Sequence, residues 1–284
     1  MKTAIVIDSG SNIYSENISL QGIFSIPLQI IEGDKAFQEG LEISTQDVNR
    51  KMKQKVKLQT SLPVLGRIEA LFSEIKDQGY EQIFAVPITS GLSGTIGAMQ
   101  SAAQIADIPF DYIDCFTTMH IQLFTALRAY RLFNEGFNNN EVKTALKEFI
   151  AESNTFIIPD NLEHLARGGR LSPLAAKLGG LLRIKPILYL DESTHGVIEP
   201  LEKVRTMSKA LDHVIDNMKK AGVDENYQIT FTHVDAGNDA IKALEKLKEA
   251  FPDTEILKRD LISTVSVHVG LGAIALQYMK KTSL

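Results

Sequence analysis

The sequence predicts an α/β fold in which a mostly parallel sheet is covered by helices on both faces. Short apolar runs alternate regularly with helical patterns along the 284 residues, and such alternation is typical of βαβ units. The clearest unit lies at residues 83–106, where an apolar run passes into the Gly/Ser-rich turn 89–95 and then into a helical pattern. No internal repeat or low-complexity linker interrupts the alternation.

Eight apolar runs are predicted to be buried strands. They are residues 4–7, 23–31, 83–88, 110–113, 155–158, 184–190, 227–231 and 255–258. The patterns predicted to be helices are residues 65–76, 95–105, 121–133, 141–151, 206–221, 240–250 and 273–280. Residues 264–267, Thr-Val-Ser-Val, are strand-like as well.

The length of the chain is sufficient for two ordinary domains, each with its own core. A strand runs into a polar turn near Pro159, and this point is predicted to divide the chain. The N-terminal α/β domain would then span residues 1–158 and the C-terminal α/β domain residues 159–284. Residues around 45–78 could pack with the second domain.

Composition excludes several classes of protein. No apolar run approaches the roughly 20 residues that cross a bilayer, and the N-terminus lacks the pattern of a signal peptide. The net charge of −5 argues against general nucleic-acid binding. One cysteine, Cys115, excludes an internal disulfide framework and agrees with a reducing cytoplasm, where we expect the protein.

The turn around Ser93 is predicted to bind an anion. Two glycines allow close approach of the backbone, and the first N–H groups of the following helix point toward the turn. No lysine follows Gly94, so the segment is not a P-loop, and Thr95 occupies the position where G-x-S-x-G needs its last glycine. A helix cap without a ligand is the alternative interpretation.

Two earlier segments have a similar ambiguity. Asp8 and Ser9 follow the first predicted strand, at the edge where open α/β sheets bind ligands, although a turn with a helix cap explains them equally well. Thr60 and Ser61 precede Pro63 and a predicted helix, which is an ordinary helix start.

Basic residues cluster in one region of this acidic chain. Paired glycines stand beside arginines at residues 165–171 and again at 178–186, and Lys203 and Arg205 follow. Such a cluster is usually a solvated face, but the local reversal of sign also suits an acidic or phosphate-bearing partner.

His268 begins the segment 268–275, which mimics the dinucleotide fingerprint G-x-G-x-x-A. That interpretation, and with it a nucleotide-binding Rossmann protein, is disfavoured because too few residues follow for the second strand and the ribose-binding acid. We expect His268 instead at a strand end, backed by a helix N-terminus. The other histidines lack metal-ligand spacing, so no metal site is predicted.

In this order, the motifs resemble the DegV family of bacterial fatty-acid-binding proteins. The residues that carry the resemblance span almost the whole chain: Asp8-Ser9, Thr60-Ser61-Leu62-Pro63, Ser90-Gly91-Leu92-Ser93-Gly94-Thr95, Gly168-Gly169-Arg170-Leu171, Ile184-Lys185-Pro186-Ile187-Leu188 and His268-Val269-Gly270 with Gly272. The resemblance implies two α/β domains with one long-chain fatty acid buried between them.

The same resemblance implies the roles of individual residues. The fatty acid carboxylate would be held by Thr60, Ser93 and His268, with Ser61, Ser90 and the Gly94 amide nearby. Some members of the family are binding subunits of a two-component fatty acid kinase, and present the carboxylate to an ATP-using subunit that makes acyl-phosphate. Such a protein needs no catalytic residue or cofactor, and its lipid exchange would involve transient contact with a membrane surface.

In those members, arginines matching Arg170 and Arg205 contribute to docking of the kinase. We therefore expect both on an exposed face, away from the pocket. A serine hydrolase that uses Ser93 with His268 remains the alternative function, although the sequence offers no obvious third member of a triad.

Overall fold

The computed structural model describes residues 2–177 and 184–281. Within these residues the strands are β1 (Thr3–Asp8), β2 (Ile23–Ile26), β3 (Gln29–Glu32), β4 (Lys35–Gln38), β5 (Leu58–Ser61), β6 (Gln82–Val86), β7 (Phe110–Tyr112), β8 (Asn154–Ile158), β9 (Lys185–Leu190), β10 (Glu199–Val204), β11 (Tyr227–His233), β12 (Glu255–Asp260) and β13 (Ile274–Lys280). The helices are α1 (Thr45–Lys53), α2 (Leu65–Asp77), α3 (Thr95–Ala106), α4 (Met119–Asn134), α5 (Asn139–Ala151), α6 (Leu162–Arg167), α7 (Pro173–Ala176), α8 (Met207–Lys220), α9 (Gly237–Ala250) and α10 (Ser263–Val269).

The first sheet has the strand order β2-β1-β6-β7, and each of its pairings is parallel. Alternate side chains of its central strands face opposite sides, as a strand requires. Ala4 and Val6 pack with α2 and α3, whereas Ile5 and Ile7 pack with α4 and α5. The predicted α/β class is therefore confirmed, and the predicted parallel sheet is this first one.

The second sheet has the order β10-β9-β8-β13-β11-β12, and β11–β12 is its parallel pair. One face packs on α8 and α9. The opposite face carries Ile157, Leu188 and Ala275 toward α6 and α10. This face is turned toward the first half of the chain and forms one wall of the site described below.

A third, small antiparallel sheet has the order β4-β3-β5 and packs on α1 and α10. The predicted single strand 23–31 is wrong at this point, because Pro27 separates β2 in the first sheet from β3 in the third. Proline lacks the N–H that a continuous strand would need there. Helix α10 contacts both β3 and β5, although it lies more than 200 residues later in the sequence.

The predicted types of two elements near the C-terminus are wrong, since a helix replaces the predicted strand and a strand replaces the predicted helix. Residues 264–267 belong to α10 and not to a strand, and residues 273–280, predicted as a helix, form β13. Strand β13 pairs with β8 on one side and β11 on the other, so its helix-forming residues are held in a sheet by tertiary contacts. The helix α10 is fixed by burial of Thr264, Ser266 and Val267.

Strand β8 belongs to the second sheet, although the predicted division of the chain follows it. The boundary of the two domains itself stays a prediction. Residues 178–183, which carry the second pair of glycines in the basic region, lie outside the described residues. None of the described helices is long and apolar enough to cross a membrane.

Candidate functional site

A cavity of about 510 Å³ lies between the first, second and third sheets. Its volume is within the range of roughly 300–1,000 Å³ that is usual for small-molecule sites. We call it the main cavity. Its inner wall is apolar and fully or almost fully buried, and consists of Leu28, Ile88, Met119, Ile157, Leu165, Leu190, Ile198, Val269 and Ala275.

The outer end of the main cavity is polar and partly exposed. It is formed by Thr60, Ser61, Ser90, Ser93, Gly94, Arg170 and His268. Every residue that the sequence placed at a carboxylate therefore lies in this lining. The polar groups deeper in the wall are already bonded within the protein: the Thr118 hydroxyl donates to the Gly10 carbonyl, and Thr155 bonds Thr117 and Gln277.

Thr60 and His268 are in direct contact across the polar end. The Thr60 Oγ1 atom, on the edge strand β5, lies 2.7 Å from the His268 Nε2 atom on α10. Burial of the imidazole, with the nearby Arg170 and His164, lowers the pKa of His268 to about 4. At neutral pH the ring is therefore uncharged, with one nitrogen that donates and one that accepts.

Ser93 lies two residues before α3, whose N-cap is Gly94. Its Oγ atom is 2.8 Å from the Thr95 Oγ1 atom, and no described side chain caps the helix. The positive end of the helix dipole is thus directed at the polar end of the cavity, an arrangement that favours an anion. The Ser90 hydroxyl, in contrast, donates to Asp114 at 2.7 Å.

Two buried carboxylates lie behind this wall. Asp8 accepts hydrogen bonds from the amides of Ile88 and Gly10 and so fixes the chain that leads into the turn of Ser93. Burial raises the pKa of Asp8 to about 6. Asp8 and Ser9 support the site from outside its lining and do not contact the cavity.

Glu39 is the functional residue that sequence reasoning missed. Its carboxylate accepts from the Ser9 hydroxyl and from the Thr264 amide, both at 2.6 Å. Because Thr264 is in the first turn of α10, Glu39 supplies the N-terminal cap that this helix otherwise lacks. It therefore holds the helix that carries His268, and burial raises the pKa of Glu39 to about 7. No motif in the sequence marks this residue.

Two glycines allow close contacts that a side chain would prevent. A Cβ atom on Gly168 would lie 2.6 Å from the His268 Nδ1 atom, so the imidazole packs directly on the backbone there. A Cβ on Gly91 would lie 2.4 Å from the Gly196 carbonyl carbon. The turn that contains Ser93 therefore packs directly on the backbone of Gly196.

The predicted surroundings of two residues need correction. Arg170 lies in the cavity lining and not away from the pocket, because Leu171 pairs with the lining residue Ile198 and Gly168 packs on His268 of α10. Arg205 is exposed, directly after β10, as expected. His268 is in the last turn of α10 and not at a strand end, and the glycine turn after it leads into β13 instead of a helix.

The geometry does not favour hydrolysis by Ser93. The Ser93 hydroxyl contacts Thr95, and the His268 nitrogen contacts Thr60, so nucleophile and base are each bonded to another group. Among the described residues no carboxylate forms a hydrogen bond to His268, whereas a triad needs one to orient its base. The described residues also contain no group of three or more His, Cys, Asp or Glu that could hold a metal ion.

Comparison with known proteins gives full-length matches. Residues 2–281 match the family described as "Uncharacterised protein, DegV family". Protein DegV of Bacillus subtilis (strain 168) is 30% identical, over 97% of this chain and 98% of that protein. The structure described as a fatty acid binding DegV family protein from Streptococcus agalactiae is 26% identical, with a TM-score of 0.89 over 99% of this chain and 100% of that one. The structure of B. subtilis DegV, described as a fatty acid binding protein, is 28% identical, with a TM-score of 0.85 and the same coverage.

Proposed function

The chain belongs to the DegV family, and from this premise we propose that it binds one long-chain fatty acid in the main cavity. The observation that carries the proposal is the division of the cavity into a buried apolar part and a single polar end. A ligand with one long hydrocarbon chain and one anionic head group matches both parts. The two relatives described as fatty acid binding proteins support this choice.

Most of the affinity would come from the hydrocarbon chain. Burial of an acyl chain is worth about 0.8 kcal/mol per CH₂ group, or roughly ten kcal/mol for a long chain before the cost of ordering it. Each hydrogen bond to the charged carboxylate adds about 1.5–3 kcal/mol. The polar end therefore fixes which end of the ligand faces outward.

The carboxylate would be bound by Ser93, Thr60 and the N-terminus of α3. His268 is uncharged, and in the tautomer whose Nε2–H donates to the Thr60 oxygen the Thr60 hydroxyl proton is free to point at the ligand. The Ser93 hydroxyl and the first amides of α3, including that of Gly94, supply the remaining donors. Ser61 is exposed at the rim of the same end.

We further propose that the bound carboxylate is presented to a partner fatty acid kinase in the cytoplasm for acyl-phosphate formation. The exposed polar end supports this step, since a partner could reach the head group without removing the chain. Arg170 at the rim and Arg205 beyond β10 would dock the partner. Leu171, next to Arg170, pairs with Ile198 just before β10, whereas Arg205 follows the end of β10, so the six residues of this strand, about 20 Å at 3.3 Å per residue, lie between the two positions.

Native mass spectrometry of the protein purified from a bacterial host tests the first proposal. We expect a bound species with the mass of one fatty acid, recovered by organic extraction in a ratio near one to one. Absence of extracted lipid, together with no binding of added palmitate or oleate, would refute it. Labelling of Ser93 by a fluorophosphonate would point to the hydrolase instead.

The kinase step is tested by R170E/R205E. The double variant should lose acyl-phosphate formation with the kinase while R205E alone, distant from the cavity, keeps wild-type affinity for palmitate. Full acyl-phosphate formation by the double variant would refute the docking role.

A further inference from the structure

A second cavity, of about 530 Å³, shares a wall with the main cavity. The shared wall consists of Thr60, Arg170 and His268, which line both spaces. We call the second space the basic cavity. Its other lining residues are Ile31, Met52, Val56, Lys57, Leu58, Gln59, His164, Arg167, Gly168 and Val267.

The basic cavity is cationic in a chain whose net charge is −5. Lys57, Arg167 and Arg170 contribute three positive charges, and no Asp or Glu is among the described residues that line it. Within residues 2–177 and 184–281, none of these three cations forms an ion pair with a carboxylate. Arg170 donates to the Gly168 carbonyl, which leaves most of its five N–H groups for another acceptor.

From this arrangement we infer that the basic cavity binds a phosphate group beside the head group of the bound lipid. The inference rests on the proposed fatty acid site. Thr60, which would bind the carboxylate, lies at the boundary of the two spaces, so a group beyond the carboxylate, or attached to it, would enter the basic cavity. Guanidinium groups match the geometry of phosphate oxygens, and three unpaired cations suit a dianion better than a monoanionic carboxylate.

Two sources of phosphate share this chemistry. Free phosphate would occupy the basic cavity while a fatty acid occupies the main cavity. A phosphorylated lipid would place its chain in the main cavity and its head group in the basic cavity. Inorganic phosphate and hexadecyl phosphate are probes that separate the two sources.

The test uses K57Q/R167Q, because both residues line the basic cavity and neither lines the main cavity. The matched control is K55Q/K203Q, which removes two exposed charges elsewhere. Affinities for palmitate and hexadecyl phosphate are measured by displacement of a fluorescent fatty acid. Binding of inorganic phosphate to the palmitate-loaded protein is measured by calorimetry.

We expect K57Q/R167Q to weaken the binding of hexadecyl phosphate or of inorganic phosphate at least tenfold, and the binding of palmitate less than twofold. The control variant should change none of these affinities. A loss confined to inorganic phosphate identifies free phosphate, and a loss for hexadecyl phosphate identifies the lipid head group. Equal affinities of wild type and K57Q/R167Q for both phosphate probes would overturn the inference, as would the same loss in the control. Failure of the wild type to bind palmitate would instead refute the proposed function.

Discussion

Replacement of Glu39 with glutamine should remove a large part of the pH dependence of stability. Glu39 is fully buried, and its carboxylate is bonded to Ser9 and to Thr264 in the first turn of α10. Burial raises its pKa from 4.5 to about 7, and the nearby Asp8 carboxylate acts in the same direction. Tyr14 is a further titratable group in this environment. Glutamine keeps the shape of the side chain but does not titrate.

Because folding raises the pKa of Glu39, this residue makes the folded protein more stable at low pH than at high pH. Between about pH 4.5 and pH 7 the folded protein keeps a proton on Glu39 that the unfolded chain releases, so folding is favoured at low pH. This stabilisation is lost as the pH rises through 7. With about 1.4 kcal/mol per pKa unit, the group contributes about 3 kcal/mol at the acid limit, of which about 2.5 kcal/mol disappears between pH 5 and pH 8.

Urea unfolding at several pH values, followed by circular dichroism, measures the effect. The quantity to compare is the free energy of unfolding of the wild type minus that of E39Q, which should fall by about 2.5 kcal/mol from pH 5 to pH 8. E42Q, at an exposed glutamate three residues away, serves as the control for a Glu-to-Gln change in the same segment. A pH-independent difference for E39Q, or one that rises with pH, would contradict the assignment of a protonated buried Glu39.

Three further substitutions test the lipid site. Ser93→Ala should weaken palmitate binding by roughly tenfold in calorimetry, through loss of one charge-assisted bond, yet still yield lipid-loaded protein; an unchanged affinity would remove Ser93 from the site. Ala275→Leu adds volume to the buried wall and should shift preference from 18-carbon toward 14-carbon fatty acids, so a loss equal for all lengths would count against it. Gly168→Ala should displace His268 and weaken palmitate binding. Gly97→Ala is the control, because a Cβ atom there meets nothing within 4 Å, and it should leave palmitate binding intact. Equal palmitate affinities of the two variants would show that the contact between Gly168 and His268 is unimportant.

Local sequence patterns predicted the α/β class well, because the central strands β1 and β6 of the first sheet are almost entirely buried and their apolar runs are continuous. The patterns failed at residues 264–280. The β-branched residues of α10 suggested a strand, and the Ala, Leu, Gln and Met residues of β13 suggested a helix. In both segments packing against distant parts of the chain outweighs the intrinsic preference of the residues.

The polar end of the main cavity could be predicted from the motifs together with the family that they resemble, whereas its support could not. Thr60, Ser93 and His268 stand in short segments with distinctive residues, and all three line the cavity. Glu39 lies in an unremarkable hairpin region, and its partner Thr264 is 225 residues away. Arg170 was expected on an exposed face because the resemblance implies a docking role, and the sequence alone does not show that Leu171 pairs with Ile198 in the cavity wall.

The position of β13 in the second sheet has a consequence for synthesis of the protein. This strand follows the other twelve described strands in the sequence, yet it lies between β8 and β11 in the interior of the sheet. The same late segment brings α10 and His268 to β5. While the ribosome has not yet released residues 263–280, the earlier strands have a gap in their sheet and Thr60 has no imidazole beside it. A nascent chain that ends before these residues therefore has no closed main cavity.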